Sequence, residues 1–213
     1  MKTDELIAML ATGAEAVDAP ARNRGVAAAL AAGLGAAVLL MAGLLGLQPE
    51  LAREVHLPQF WLRELFCAAL GLIALVGVRR LAHPGTRLGF VPLALAAPLL
   101  LMWSAAAYVL LDAAPDYRMD LVMGHTARVC SALIALVSAP VFVAVIWAMR
   151  RHAPTRLALS GGAAGLASGA VGALVYTLHC PELAPPFLAV WYVLGMLIPA
   201  GCGALLGPRL LRW

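Results

Sequence analysis

Charge is scarce in this chain. Asp, Glu, Lys and Arg make up 12% of its 213 residues while hydrophobic residues make up 63%, whereas a soluble domain carries about a quarter charged residues to wet its surface. No Lys or Arg occurs between Leu157 and Pro208. The four cysteines, Cys67, Cys130, Cys180 and Cys202, include no CxxC pair, which removes the thioredoxin-type redox motif and the ribbon-type zinc site. No stretch between apolar runs is long enough for a separate catalytic domain, so no soluble enzyme is expected. The N-terminal segment holds Asp4, Glu5, Glu15 and Asp18 against Lys2, and so lacks the basic start of a secretory signal. The first apolar run is expected to stay in the protein as an anchor.

What the chain has instead is apolar length, with a mean hydropathy of +0.90. At about 20 residues per span, runs fall near Gly25 to Leu47, Phe60 to Val78, Leu88 to Leu111, Ala127 to Met149, Leu157 to Leu178 and Phe187 to Gly207. The expectation is an all-α polytopic membrane protein of six transmembrane helices, because a helix satisfies its own backbone in lipid. Arg63 and Glu64 open the second run and are expected at headgroup level, where an arginine can snorkel.

Orientation follows from the basic residues, which favour the cytoplasmic side. Lys2, Arg22, Arg24, Arg79, Arg80, Arg87, Arg150, Arg151, Arg156, Arg209 and Arg212 fall on one side, and Arg53, Arg63, Arg118 and Arg128 on the other. The N-terminus and C-terminus are both expected to be cytoplasmic, in a bacterial inner membrane. The net charge of +4 and pI near 9.2 do not point to nucleic acid, because these arginines mark the ends of spans and form no phosphate-binding face.

Two parts are expected: a cytoplasmic amphipathic segment, residues 1–24, and a six-helix membrane domain, residues 25–213. Thr3, Asp4 and Glu5 read as a helix start, and Leu6, Leu10, Ala14 and Val17 recur at helical spacing, with Ile7 and Met9 widening the stripe. Such a short helix gains stability by docking its apolar face. Its acidic residues favour a protein groove with basic surroundings over acidic lipid. Gly13 should weaken it, and Ala19-Pro20-Ala21 reads as a hinge into the membrane.

The fifth run carries Gly161, Gly165 and Gly169 four apart, a spacing for close helix packing. The fourth and fifth runs are joined by the short "RRHAPT" turn and are therefore antiparallel neighbours. Counted from that turn, Cys130 lies about 28 Å up one helix and Cys180 about 34 Å up the other, at 1.5 Å per residue. His179 adjoins Cys180, and His125 and Arg128 precede Cys130; such neighbours favour a thiolate. A reversible disulfide, or a transient soft-metal site drawing on Cys130, Cys180 and His179, is chemically open at this place. Cys67 and Cys202 read as small buried residues. No permanent cofactor is expected.

The start "MKTDELIAMLA", the Arg before the first of six spans, "HTARVC" at the fourth and "HCPE" after the fifth together resemble the NrsF-type membrane anti-sigma factors. The resemblance implies that the N-terminal segment sequesters an extracytoplasmic-function sigma factor, and that oxidative or heavy-metal stress releases it. It further implies that Cys130 and Cys180 are needed for the response. Asp4, Leu6, Ile7, Leu10 and Val17 are the expected sigma-binding residues, and Cys130, Cys180, His179 and His125 the expected sensing ones. Two rivals stand beside this reading: a quinone-linked membrane thiol oxidoreductase, which would need a second exchanging cysteine pair, and a small permease, which would need ionisable residues at mid-membrane.

Overall fold

A computed structural model describes residues 3–12, 19–83 and 85–212. Among these residues the chain is helical throughout, with no strand: α1 (Thr3–Thr12), α2 (Ala19–Leu44), α3 (Leu51–Glu54), α4 (Pro58–Leu81), α5 (Val91–Asp112), α6 (Pro115–Met123), α7 (Ala127–Arg150), α8 (Leu157–Tyr176), α9 (Pro185–Phe187) and α10 (Val193–Leu210). Among the described residues six stretches are long and apolar enough to cross a membrane: Arg24–Leu44, Pro58–Leu81, Val91–Asp112, Pro115–Arg150, Leu157–Tyr176 and Pro185–Leu210. They match the six runs expected, with ends shifted by a few residues except at the fourth, whose stretch takes in α6 and so begins at Pro115 rather than Ala127.

Side-chain size explains why α8 sits at the centre. A Cβ at Gly161 would stand 2.0 Å from the Gly203 carbonyl oxygen of α10, and one at Gly165 would stand 2.0 Å from that of Pro199. Gly169 faces Met196 in the same way, while Gly172 meets Ser138 of α7 at 2.7 Å. The glycine spacing therefore lets α8 and α10 approach backbone to backbone. Helix α4 packs on a third side, with Gly71 against Ala170. Helix α2 lies mainly on α7, where Gly33 admits Ala144 and the Pro140 carbonyl.

Between α9 and α10 the helix widens into one π-turn, Leu188–Tyr192. Such a turn frees carbonyls, which must find partners when buried. Ser131 Oγ donates to Trp191 O at 2.8 Å and Trp103 Nε1 donates to Ala189 O at 3.2 Å. The π-turn points Tyr192, fully buried, into the core.

Three expectations need correction. Ala19, Pro20 and Ala21 form no hinge but open α2, where a proline costs little because the first N–H groups of a helix lack partners. Cys202 is exposed on α10, not buried, whereas Cys67 is buried as expected. Arg63 does not snorkel outward: it has no exposed surface, because carbonyls of a distant loop offer it partners inside the bundle.

Helix α1 carries Asp4 and Glu5 in its first turn, and Leu6, Ile7 and Met9 are exposed. Val17, Glu15, Asp18, Gly13 and Ala14 lie outside the described residues, as does the side chain of Leu10.

Candidate functional site: a buried thiol pair and the loop that holds it

Cys130 and Cys180 are 50 residues apart in sequence yet share one core, both with 0% exposure. Cys130 stands in the first turn of α7, its N–H donating to Thr126 O at 2.9 Å. Cys180 follows α8 on a last helical turn, its N–H donating to Tyr176 O at 3.1 Å. The antiparallel pairing of α7 and α8 brings the two thiols to one level, as counting from the connecting turn suggested. Both are free thiols.

Proton donors surround the Cys180 sulfur. The Cys130 thiol donates toward it, the Thr126 hydroxyl is 3.8 Å away, and the Glu182 backbone N–H and Tyr192 hydroxyl face it too. Tyr192 has no conventional hydrogen-bond partner of its own. Donors that stabilise the charged form favour the thiolate. The Cys130 thiol, foremost among them, draws the Cys180 thiol down to about 6, against burial, which pushes it up. Cys180 is therefore the acidic thiol of the pair, positioned to act as nucleophile or soft ligand.

The loop from Thr177 to Glu182 is held from beneath by Arg63. Its Nη1 donates to Cys180 O at 2.7 Å and to Glu182 O at 3.1 Å, and its Nη2 donates to Thr177 O at 3.1 Å. Glu54 at 3.9 Å and Glu64 at 3.7 Å flank the guanidinium, and the Phe60 ring lies 5.3 Å from it. A fork of N–H groups on the last carbonyls of a helix is a role suited to Arg rather than Lys.

The same loop is tied to the end of α2. Gln48 N–H donates to Leu178 O at 3.0 Å. His179 Nδ1 lies 3.0 Å from Gly46 O; a carbonyl only accepts, so Nδ1 carries the proton. Gly46 adopts φ +78, a conformation glycine takes freely. On the far side, Glu182 Oε1 accepts from His125 N–H at 2.6 Å. Gly124 leaves room for that carboxylate, since a Cβ there would come within 2.7 Å of it.

The expected sensing residues thus divide. Cys130 and Cys180 come together. His179 turns to α2, and the exposed His125 contributes its backbone N–H. Among the described residues no three of His, Cys, Asp and Glu converge to hold a metal ion, so the set Cys130, Cys180 and His179 is not assembled as a three-ligand site. Sequence reasoning missed Arg63, Thr126 and Tyr192. Only Arg63 left a signal, as a charge inside an apolar run.

A helical bundle with six helices long and apolar enough to cross a membrane, a buried thiol pair at one end and an exposed helix carrying Asp4 and Glu5 near its N-terminus defines the class of protein by its architecture. The comparisons narrow it. Residues 10–213 match the family model described as negative regulator of sigma F, NrsF, and the chain belongs to that family. It is 49% identical over 213 residues to the probable anti-sigma-F factor NrsF of Azospira oryzae, covering 100% of both chains. It is 39% identical over 219 residues to the anti-sigma-F factor NrsF of Caulobacter vibrioides, again covering 100% of both. No solved structure matches.

Proposed function

We propose that this chain is an anti-sigma factor of the bacterial inner membrane, with both termini cytoplasmic. Its N-terminal segment holds an extracytoplasmic-function sigma factor, and oxidative or heavy-metal stress at Cys130 and Cys180 releases it. The family membership supports the regulatory role. The observation that carries the sensing step is the meeting of two sequence-distant thiols in one buried site, with the loop of one tied to the helix that leads to the N-terminal segment.

The route runs through α2. Oxidation of the pair to a disulfide passes two electrons and two protons to an oxidant of the hydroperoxide class, yielding alcohol and water. A thiophilic metal ion would displace the same protons. Either change moves Cys180 and strains its loop, and the loop grips α2 through Gly46 and Gln48. Helix α2 then carries the shift to residues 1–24. Exposed Leu6 and Ile7 with Asp4 beside them offer the partner an apolar face rimmed by negative charge. A coupling of about 1–3 kcal/mol loosens binding by about 5- to 150-fold, and sigma binding must bias the thiols equally.

A truncation and two cysteine replacements test the reading in native cells. Removal of residues 1–20 should abolish capture of the sigma factor while the membrane domain still folds; full capture by the shortened chain would refute it. Cys130→Ser or Cys180→Ser should leave capture intact but unresponsive to oxidant or metal. An unchanged response would remove the sensing role.

A further inference from the structure

The half of the bundle opposite the thiols contains an apolar crevice of about 570 Å³. Its walls come from the near halves of four helices: Ala74 to Leu81 of α4, Leu88 to Leu95 at the start of α5, Ala158 to Leu166 of α8, and Leu197 to Ala204 of α10. Among the described residues no charged one lines it. It opens because α5 leans on α4 and, at the thiol end, on α9 and the π-turn.

Along α8 the lining runs from Ala158 to Leu166, about 12 Å at 1.5 Å per residue. That is close to one leaflet of a hydrocarbon core about 30 Å thick. A lipid acyl chain is slim enough to lie along a groove of this length.

Charge at the mouth selects its headgroup. Arg80 Nη1 donates to Leu88 O at 3.1 Å, and its guanidinium lies 4.7 Å from the Phe90 ring. Leu88 lines the crevice, so Arg80 stands on its rim with most of its N–H donors unused. Arg79, Arg87, Arg156 and Arg209 are exposed at the same end. No Asp or Glu occurs in residues 79–90, 150–157 or 207–213, and none of these arginines has an ion pair among the described residues.

We propose that the crevice binds the acyl chains of one anionic phospholipid, with Arg80 and Arg87 receiving its phosphate. The apolar walls give little preference by themselves, because a lipid tail is no better solvated in protein than among other tails. The arginines give the selection, each worth about fivefold near an anionic surface. The site needs only that the six helices span a bilayer and is independent of the sigma-factor reading.

The full chain is reconstituted in nanodiscs of phosphatidylethanolamine and phosphatidylglycerol mixed 3:1, released in mild detergent and weighed by native mass spectrometry. One retained lipid is expected, with a phosphatidylglycerol-to-phosphatidylethanolamine ratio at least about fivefold above that of the bilayer. The double variant R80Q/R87Q should lose the enrichment, and Ala163→Phe, which fills the crevice, should lose the lipid. Absence of retained lipid in the unmodified chain, retention at the bulk 3:1 ratio, or a dimer mass that Ala163→Phe returns to monomer would each overturn the proposal.

Discussion

Replacement of Arg63 by Met keeps the length of the side chain and removes its charge. Three carbonyls, those of Thr177, Cys180 and Glu182, lose their donors, and Glu54 and Glu64 lose their counter-ion. Hydrogen bonds to a charged group contribute about 1.5–3 kcal/mol each, but three bonds on one guanidinium do not add. The better scale is removal of one partner from a buried ionic cluster, which costs about 3–5 kcal/mol. That is a large share of the about 5–15 kcal/mol by which a protein folds.

The loss falls on the loop, because helices α4 and α8 keep their own contacts. Local opening of residues 177–182 should therefore become easier by the same amount, and the buried Cys180 should become accessible in proportion. The assay is alkylation by a maleimide in detergent at fixed pH, with Cys180 followed by peptide mass. A rise of about 10²- to 4 × 10³-fold is expected for Arg63→Met, since each 1.4 kcal/mol is tenfold. Arg63→Lys, which keeps the charge and loses the fork, should fall between. Combining Arg63→Met with Glu54→Gln and Glu64→Gln should recover part of the loss by removing the stranded carboxylates. A single variant that alkylates within threefold of the unmodified chain would show that Arg63 does not hold the loop.

Further outcomes follow from the same geometry. Gly165→Val should separate α8 from α10, because its Cβ would lie 2.0 Å from Pro199 O; Gly35→Ala on α2, with nothing within 4 Å, should raise the thermal midpoint slightly. The alkylation rate of Cys180 should rise through pH about 6 and then level off, and Cys130→Ala should move the rise upward by removing its main donor. The ordinary thiol titrates near 9. Between pH 6 and 9 the unfolded chain thus holds a proton that the folded one has released. Stability from this group grows with pH in that window and is lost as pH falls through 6, a slope that chemical unfolding at several pH values measures. His179→Ala should still form the disulfide with a peroxide, seen by mass, but should no longer alter sigma-factor capture. Normal release by this variant would sever α2 from the signal.

The six apolar helices were legible because their signal is local: composition over 20 residues decides it. Depth was legible for the same reason, since a short turn fixes α7 beside α8 and counting places Cys130 level with Cys180. Arg63 was misread because its fate depends on carbonyls 114 to 119 residues away, and no nearby residue announces them. His179 read as a partner for the adjacent sulfur. The turn after α8 instead aims its ring at Gly46, a backbone group without a side-chain signature. The π-turn was invisible too, since what stabilises it is Ser131 and Trp103 on other helices.

The packing also decides which helix can move. Helix α8 is locked against α10 and α7 by glycine contacts so close that a Cβ would fall within 3 Å of its neighbours, and close-packed interfaces of that kind switch between discrete arrangements rather than slide. Helix α2 has one main neighbour, α7, with Gly33 as its tight point, and its thiol-side end is held by two hydrogen bonds to residues 178 and 179. A repacking of α7 on α8 would have to break the glycine contacts of α8. A strain at Cys180 meets less resistance along α2, which is also the helix that continues from the N-terminal segment. On the proposed sensing route, the two bonds at Gly46 and Gln48 are where thiol chemistry would become a displacement, and Arg63 is the anchor it would act against: a loop free on both sides would absorb the change and transmit nothing.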